Sequence, residues 1–328
     1  MNLRELIDAG PILTDGAWGT ELQRRGLPLG SCPDQWNLLH PDKVAEVAQS
    51  YVEAGSRVIL TNTFRGNRIA LSGYSLEHDT FQINRAGAAI SRQAAGKSAR
   101  VFASLGPTGK MLSIGQVTPE QVTLAFEEQA ASLAEGGADA LLIETMSDLE
   151  EASLALAAAR NTGLPVIVSF TFDTGRNKDR TMTGVTPEQA AHRMTEEGAD
   201  AIGANCGIGI AEYVPICRRL RAATHLPIWI KANAGLPEME DGTPVYRTTA
   251  EQFAQHLPDL IEAGAKFVGG CCGTSPDFIR AAAARLPAFS RGVDFQPTEP
   301  TRAAGRFPDT ASPGTRRAGG PGPTKVTP

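Results

Sequence analysis

The chain has 328 residues, 41% of them hydrophobic and 20% charged, with a formal net charge of −5. That length fits two average domains or one α/β barrel of about 250 residues, and the mild acidity argues against a nucleic acid or an anionic membrane surface bound through bulk charge. No apolar run approaches the roughly 18 residues of a membrane span, and the opening MNLRELIDAGPIL lacks a secretory pattern. The expectation is therefore a cytoplasmic protein whose five cysteines are thiols or metal ligands rather than a disulfide framework.

Short apolar or β-branched runs stand at residues 11–15, 57–63, 100–105, 139–144, 165–170, 200–205, 227–231 and 266–270. Helical patterns fill the gaps between them. Thr118-Pro119-Glu120-Gln121 and Thr186-Pro187-Glu188-Gln189 each combine an N-cap threonine, proline in the first turn and a capping-box glutamine. Asp148 to Glu151 and Thr249 to Gln252 have related spacing. Glycines at 55, 137, 198 and 264 follow helical patterns and precede strands two, four, six and eight, as helix C-caps should. Eight strand–helix units with such repeated joints predict a single (β/α)8 barrel over residues 1–289. An open doubly wound sheet is the competing architecture. The first loop, Asp15-Gly16-Ala17-Trp18-Gly19-Thr20, lacks the GxGxxG spacing that usually opens one. From 290 to 328 large aliphatic residues nearly vanish and Pro, Gly, Thr, Ser and Arg dominate, which predicts a disordered tail.

Barrel chemistry sits at the C-terminal strand ends. Strand one ends at Asp15, strand two at Asn62 and Thr63, and strand four at Glu144 and Thr145. Strand six ends at Asn205 and Cys206, strand seven near Asn233, and strand eight at Cys271 and Cys272. Strands three and five offer no candidate. Cys206, Cys271 and Cys272 would thus share one rim, where three thiolates with an open fourth position make a catalytic zinc arrangement. The glycines around the vicinal pair allow a sharp turn that points both sulfurs inward. Taken singly, each cysteine is more simply a small buried hydrophobe. Cys217 is expected to pack in that way, and Cys32 has no assigned role.

Asp15 and Glu144 could hold a cationic amino group, or Asp15 could cap its turn and Glu144 pair with an arginine. Trp18 and Trp36 could offer a face to an onium group, though a loop tryptophan more often packs. None of the five histidines has metal-binding spacing such as HExxH, and none ends a strand.

These segments resemble the homocysteine S-methyltransferase family. The matching stretches are Asp15-Gly16-Ala17-Trp18-Gly19-Thr20-Glu21, Leu60-Thr61-Asn62-Thr63-Phe64 and Ile143-Glu144-Thr145. Gly203-Ala204-Asn205-Cys206, Asn233-Ala234-Gly235 and Gly269-Gly270-Cys271-Cys272-Gly273-Thr274 complete the set, which spans about residues 10 to 285. The resemblance implies a zinc-bearing (β/α)8 barrel with Cys206, Cys271 and Cys272 as metal ligands. It places Asp15 and Glu144 at the homocysteine amino end, and makes Thr63 and the backbone at Gly16 candidates for its carboxylate. The Asn233-Ala234-Gly235 stretch matches the methionine synthase branch best and adds Asn233 to the substrate-binding set.

The implied reaction is methyl transfer to homocysteine, activated as a zinc thiolate, to give methionine. The donor would be S-methylmethionine, a betaine-like onium compound or a methylated corrinoid on a separate protein, and a homo-oligomer is compatible with this reading. Competing readings are a related acceptor such as selenohomocysteine, a non-catalytic zinc- or thiol-binding barrel, and a nucleophilic-cysteine hydrolase. The last would need a general base near the cysteine.

Overall fold

Eight parallel strands form the sheet of this computed structural model, which describes residues 3–8, 10–240 and 243–286. The expected tail, and residues 287–289 of the expected barrel, lie outside the described residues. In chain order the strands are β1 (Ile12–Leu13), β2 (Val58–Ile59), β3 (Arg100–Leu105), β4 (Ala140–Met146) and β5 (Val166–Phe170). They continue with β6 (Ala201–Cys206), β7 (Ile228–Ala232), a two-stranded hairpin of β8 (Glu238–Glu240) and β9 (Thr243–Val245), and β10 (Ala265–Gly270). The large sheet runs β1-β10-β7-β6-β5-β4-β3-β2. All eight expected strands are present. The hairpin was not foreseen; it lies in the loop after β7, with β8 exposed.

The sheet curls until its two ends meet. Arg57 N–H donates to Leu13 O at 2.8 Å, and Leu60 N–H donates to the Asp15 carboxylate at 2.7 Å. Ser56 Oγ donates to Thr14 O at 3.2 Å, so one backbone bond and two side-chain bonds join the β1 and β2 segments and make a nearly closed barrel.

Capping sets where the outer helices begin. Thr118, Thr186 and Thr249 each form the reciprocal capping box with Gln121, Gln189 and Gln252, and Asp148 caps the amide of Glu151. Each cap contributes about 1 kcal/mol. The helix Pro41–Glu53 buries Val44, Val47, Ala48 and Tyr51, the spacing of a single apolar face turned toward the sheet.

Side-chain alternation along the strands divides the barrel interior into two levels. The lower level is apolar: Ile12, Val58, Leu60, Phe102, Leu142, Ile167, Trp229 and Phe267 form one buried cluster, joined by Leu3 and Leu6 of the N-terminal helix. The Phe102, Trp229 and Phe267 rings lie 5.2–5.9 Å apart. Two residues further along the same strands come Ser104, Glu144, Ser169 and Lys231, with Asn205 above Gly203 on β6. The floor needs Gly203, because a Cβ there would stand 1.9 Å from Trp229 O. No helix among the described residues is long and apolar enough to cross a membrane.

Candidate metal centre and substrate site

Cys206 ends β6, while Cys271 and Cys272 follow β10, with β7 between these two strands. The backbone ties the two ends to β7 and its loop. Cys271 N–H donates to Ala232 O at 2.7 Å, Asn233 N–H to Cys206 O at 3.3 Å, and Ala234 N–H to Cys272 O at 2.9 Å. Cys206 Sγ lies 3.0 Å from Cys271 Sγ and 4.0 Å from Cys272 Sγ, and all three sulfurs lie within 4.8 Å of one another. They form the only group of three potential metal-ligating side chains of this kind among the described residues. Hydrogen bonds from Cys206 and Cys271 hold the Cys272 thiol well below the usual range, and the same sharing of protons pushes Cys206 up.

Two non-glycine residues at this rim have left-handed backbones, Thr145 (φ 63°) and Cys206 (φ 59°). Such residues cost about 1–3 kcal/mol each and cluster where function fixes a geometry. Gly273, after the vicinal pair, has φ 80°, and a Cβ there would meet the Tyr246 ring at 2.2 Å. Tyr246 follows the hairpin and is partly buried, and burial and the negative charge of the three cysteines push its phenol up to about 12.

Glu144 is buried beside the cysteines. Its Oε1 accepts from Ser104 Oγ at 2.5 Å and its Oε2 from Asn205 Nδ2 at 3.4 Å. Burial pushes its carboxyl up to about 7, against the pull of Lys231. The suggested Glu144–arginine pairing is not what these contacts show.

Asp15 is fully buried and takes three donors: the Lys231 ammonium, Leu60 N–H and Trp18 Nε1–H, the last two at 2.7 Å. It is therefore a tie across the barrel seam as well as a neighbour of the site. Thr63 is also fully buried; its hydroxyl donates to Ser104 O at 2.7 Å and shares a hydrogen with Thr61. Gly16 is required by packing, since a Cβ would stand 2.8 Å from both Thr274 Oγ1 and Tyr51 OH. Asn233 donates from Nδ2 to Gly207 O at 2.7 Å, which leaves its buried Oδ1 without a partner.

Strands three and five, from which no residue was expected, supply Ser104 against Glu144 and Ser169 against Asn205. Lys231 was also missed. Its signal was the alternation that places it two positions beyond the inward-facing Trp229. Trp36 packs against His40 with ring centroids 4.7 Å apart and the planes tilted by 60°, and it is buried, so it presents no open face for an onium group. Cys217 is buried in its helix, as expected, and Cys32 belongs to a small core with Leu71, Leu76 and Ile83.

Residues 12–286 match the family described as homocysteine S-methyltransferase. The chain belongs to that family. It is 31% identical over 324 residues to a methionine synthase of Mycobacterium leprae, and 30% identical over 325 residues to one of Mycobacterium tuberculosis. Each match covers 90% of this chain but only 27% and 26% of the relative, so the chain spans about a quarter of their length. Among solved structures, the homocysteine methyltransferase MmuM of Escherichia coli in its metallated form shares the fold. The TM-score is 0.73 at 24% identity, over 87% of this chain and 100% of the other. Its oxidised form gives 0.74 at 23% identity over the same shares.

Proposed function

We propose that this family member transfers a methyl group to the sulfur of homocysteine, giving methionine, at a zinc ion held by Cys206, Cys271 and Cys272. The observation that carries the reading is the convergence of three sulfurs from two non-adjacent strands beside a buried carboxylate. The donor set fits zinc: three soft thiolates leave one position of a tetrahedron open, and the orphaned Asn233 Oδ1 is a further acceptor on the loop bonded to Cys206 and Cys272. A bound zinc ion would supply the positive charge that favours the ionised form of a substrate thiol at neutral pH.

The chain's own residues would do the rest. Glu144, aimed by Ser104 and Asn205, would receive the substrate ammonium once ionised. Its raised pKa then sets the pH sense: homocysteine KM should fall as pH rises through about 7. Asp15 already has three donors, so its part would be to fix Lys231 and Trp18 around the substrate. Thr63 and the backbone near Gly16 are the candidates for the carboxylate end. In the transfer a sulfur–carbon bond forms as the donor–carbon bond breaks, and the donor leaves with that electron pair. The rim must therefore hold the two reactants in line at about 3–3.5 Å.

The test is metal analysis of anaerobically purified protein, followed by methyl transfer from S-methylmethionine, a betaine and a methylated corrinoid protein. About one zinc per chain, and turnover with one donor, is the expected result. The Cys272→Ala variant should lose both. Stoichiometric zinc with normal transfer in that variant would overturn the assignment of the centre.

A further inference from the structure

Asn205 occupies the middle of the polar level and is fully buried. Its Oδ1 accepts from Thr145 N–H at 2.9 Å and Ser169 Oγ at 2.7 Å. Its Nδ2 donates to Thr145 Oγ1 at 2.7 Å and Glu144 Oε2 at 3.4 Å. Its backbone carbonyl accepts from Tyr213 OH at 2.7 Å and Thr171 Oγ1 at 3.1 Å. The residues on either side of this hub in space, Thr145 and Cys206, are the two rim residues with left-handed backbones. Strain of that kind persists only where the surroundings over-determine it. Thr145 is held through both its amide and its hydroxyl by one side chain, and Cys206 follows the carbonyl that two hydroxyls fix.

We infer that Asn205 is a positioning residue: its side chain aims Glu144 at the substrate ammonium, while its backbone holds Cys206 toward the other two sulfurs. This rests on the function proposed above and adds the residue that keeps the amine end and the sulfur end in one frame. The two arms are separable. The side-chain arm reaches Glu144 and Thr145, and the backbone arm does not depend on residue type. An aspartate at 205 keeps the acceptor toward Thr145 and Ser169, but replaces the donor facing Glu144 with a second carboxylate oxygen.

The experiment compares wild type, N205D and the exchanged pair E144Q/N205D. In N205D homocysteine KM should rise at least tenfold, with kcat within threefold and zinc content unchanged. The exchanged pair restores a hydrogen bond with donor and acceptor reversed. It should recover the thermal midpoint but not KM, because the charge has moved from residue 144 to residue 205. Because residue 144 no longer carries that charge in the pair whichever role Asn205 has, the pair tests the hydrogen bond through the midpoint, and N205D alone reads KM. If N205D does not fold, N205S, too short to reach both Glu144 and Thr145 but with the backbone arm intact, reads the same KM-to-zinc comparison. A folded variant with KM within twofold of wild type, or one losing zinc in proportion to its KM rise, overturns the inference. If wild type itself neither binds nor methylates homocysteine, the functional reading fails on its own. The position of the Glu144 carboxylate in crystals of N205D still decides this one: displaced is expected, and the wild-type position refutes it.

Discussion

Replacing Lys231 with methionine would remove half of an ion pair that has almost no contact with water. The two side chains are 2% and 0% exposed. Methionine keeps most of the lysine's length, so little cavity follows; the cost is the charge left on Asp15. Losing one partner of a buried pair costs about 3–5 kcal/mol. Leu60 N–H and Trp18 Nε1–H would still donate to that carboxylate, which favours the lower end. A loss of about 3 kcal/mol, at roughly 2–4 °C per kcal/mol for a domain of this size, lowers the midpoint by about 6–12 °C. The assay is scanning calorimetry at neutral pH on metal-matched samples of wild type, K231M, D15N and D15N/K231M. The double variant has no stranded charge, and its amide can still accept from Leu60 N–H, so it should recover at least half of the K231M deficit. A K231M midpoint within about 2 °C of wild type, or a double variant as unstable as both single losses added together, would refute the reasoning.

Three further outcomes are expected. Gly203→Ala should fail to accumulate as folded protein, because the new Cβ would lie 1.9 Å from the backbone oxygen of Trp229 in the middle of a strand pair; a soluble variant with a wild-type melting curve would count against the packed floor. Asp34 is buried, and burial, opposed by a hydrogen bond from Arg65 N–H, pushes its carboxyl up to about 7 from 3.8. A group raised in the folded state gives stability that is full below pH 3.8 and lost as pH rises through about 7. D34N should therefore flatten the decline in unfolding free energy measured by urea titration from pH 4 to 8, a contribution of up to about 4 kcal/mol. Burial also pushes Cys32 to about 11 and Cys217 to about 12, while Cys272 is held well below the usual range, so metal-stripped native protein should react with a maleimide at Cys272 first. Peptide mapping that found Cys32 or Cys217 labelled first would contradict their burial.

The strands were legible because parallel strands covered on both faces read as apolar runs, and the helix starts because the capping pairs are local. The cysteine site was legible for a related reason: three uncommon residues end strands, and barrel topology brings those ends together. What stayed hidden depended on phase. Ser104, Ser169 and Lys231 look unremarkable until one knows that Phe102, Ile167 and Trp229 point inward, since alternation then sends the serines and the lysine inward too. Asp15 could be read as a turn cap or a substrate ligand because its partner Lys231 is 216 positions away. The β8–β9 hairpin gave no apolar signal because Glu238, Met239 and Glu240 of β8 are all exposed.

The seam between β1 and β2 bears on more than the shape of the mouth. A closed barrel protects every strand from pairing with another chain, whereas an open sheet offers two edges that template aggregation. Here both strands at the seam are two residues long, and a carboxylate completes what a longer ladder would otherwise do. The junction of the two shortest strands of the sheet is thus guarded by a residue of the proposed substrate site. Damage to that site that frees Asp15 would expose strand edges as well as impair chemistry, so loss of activity and loss of solubility on warming should arrive together.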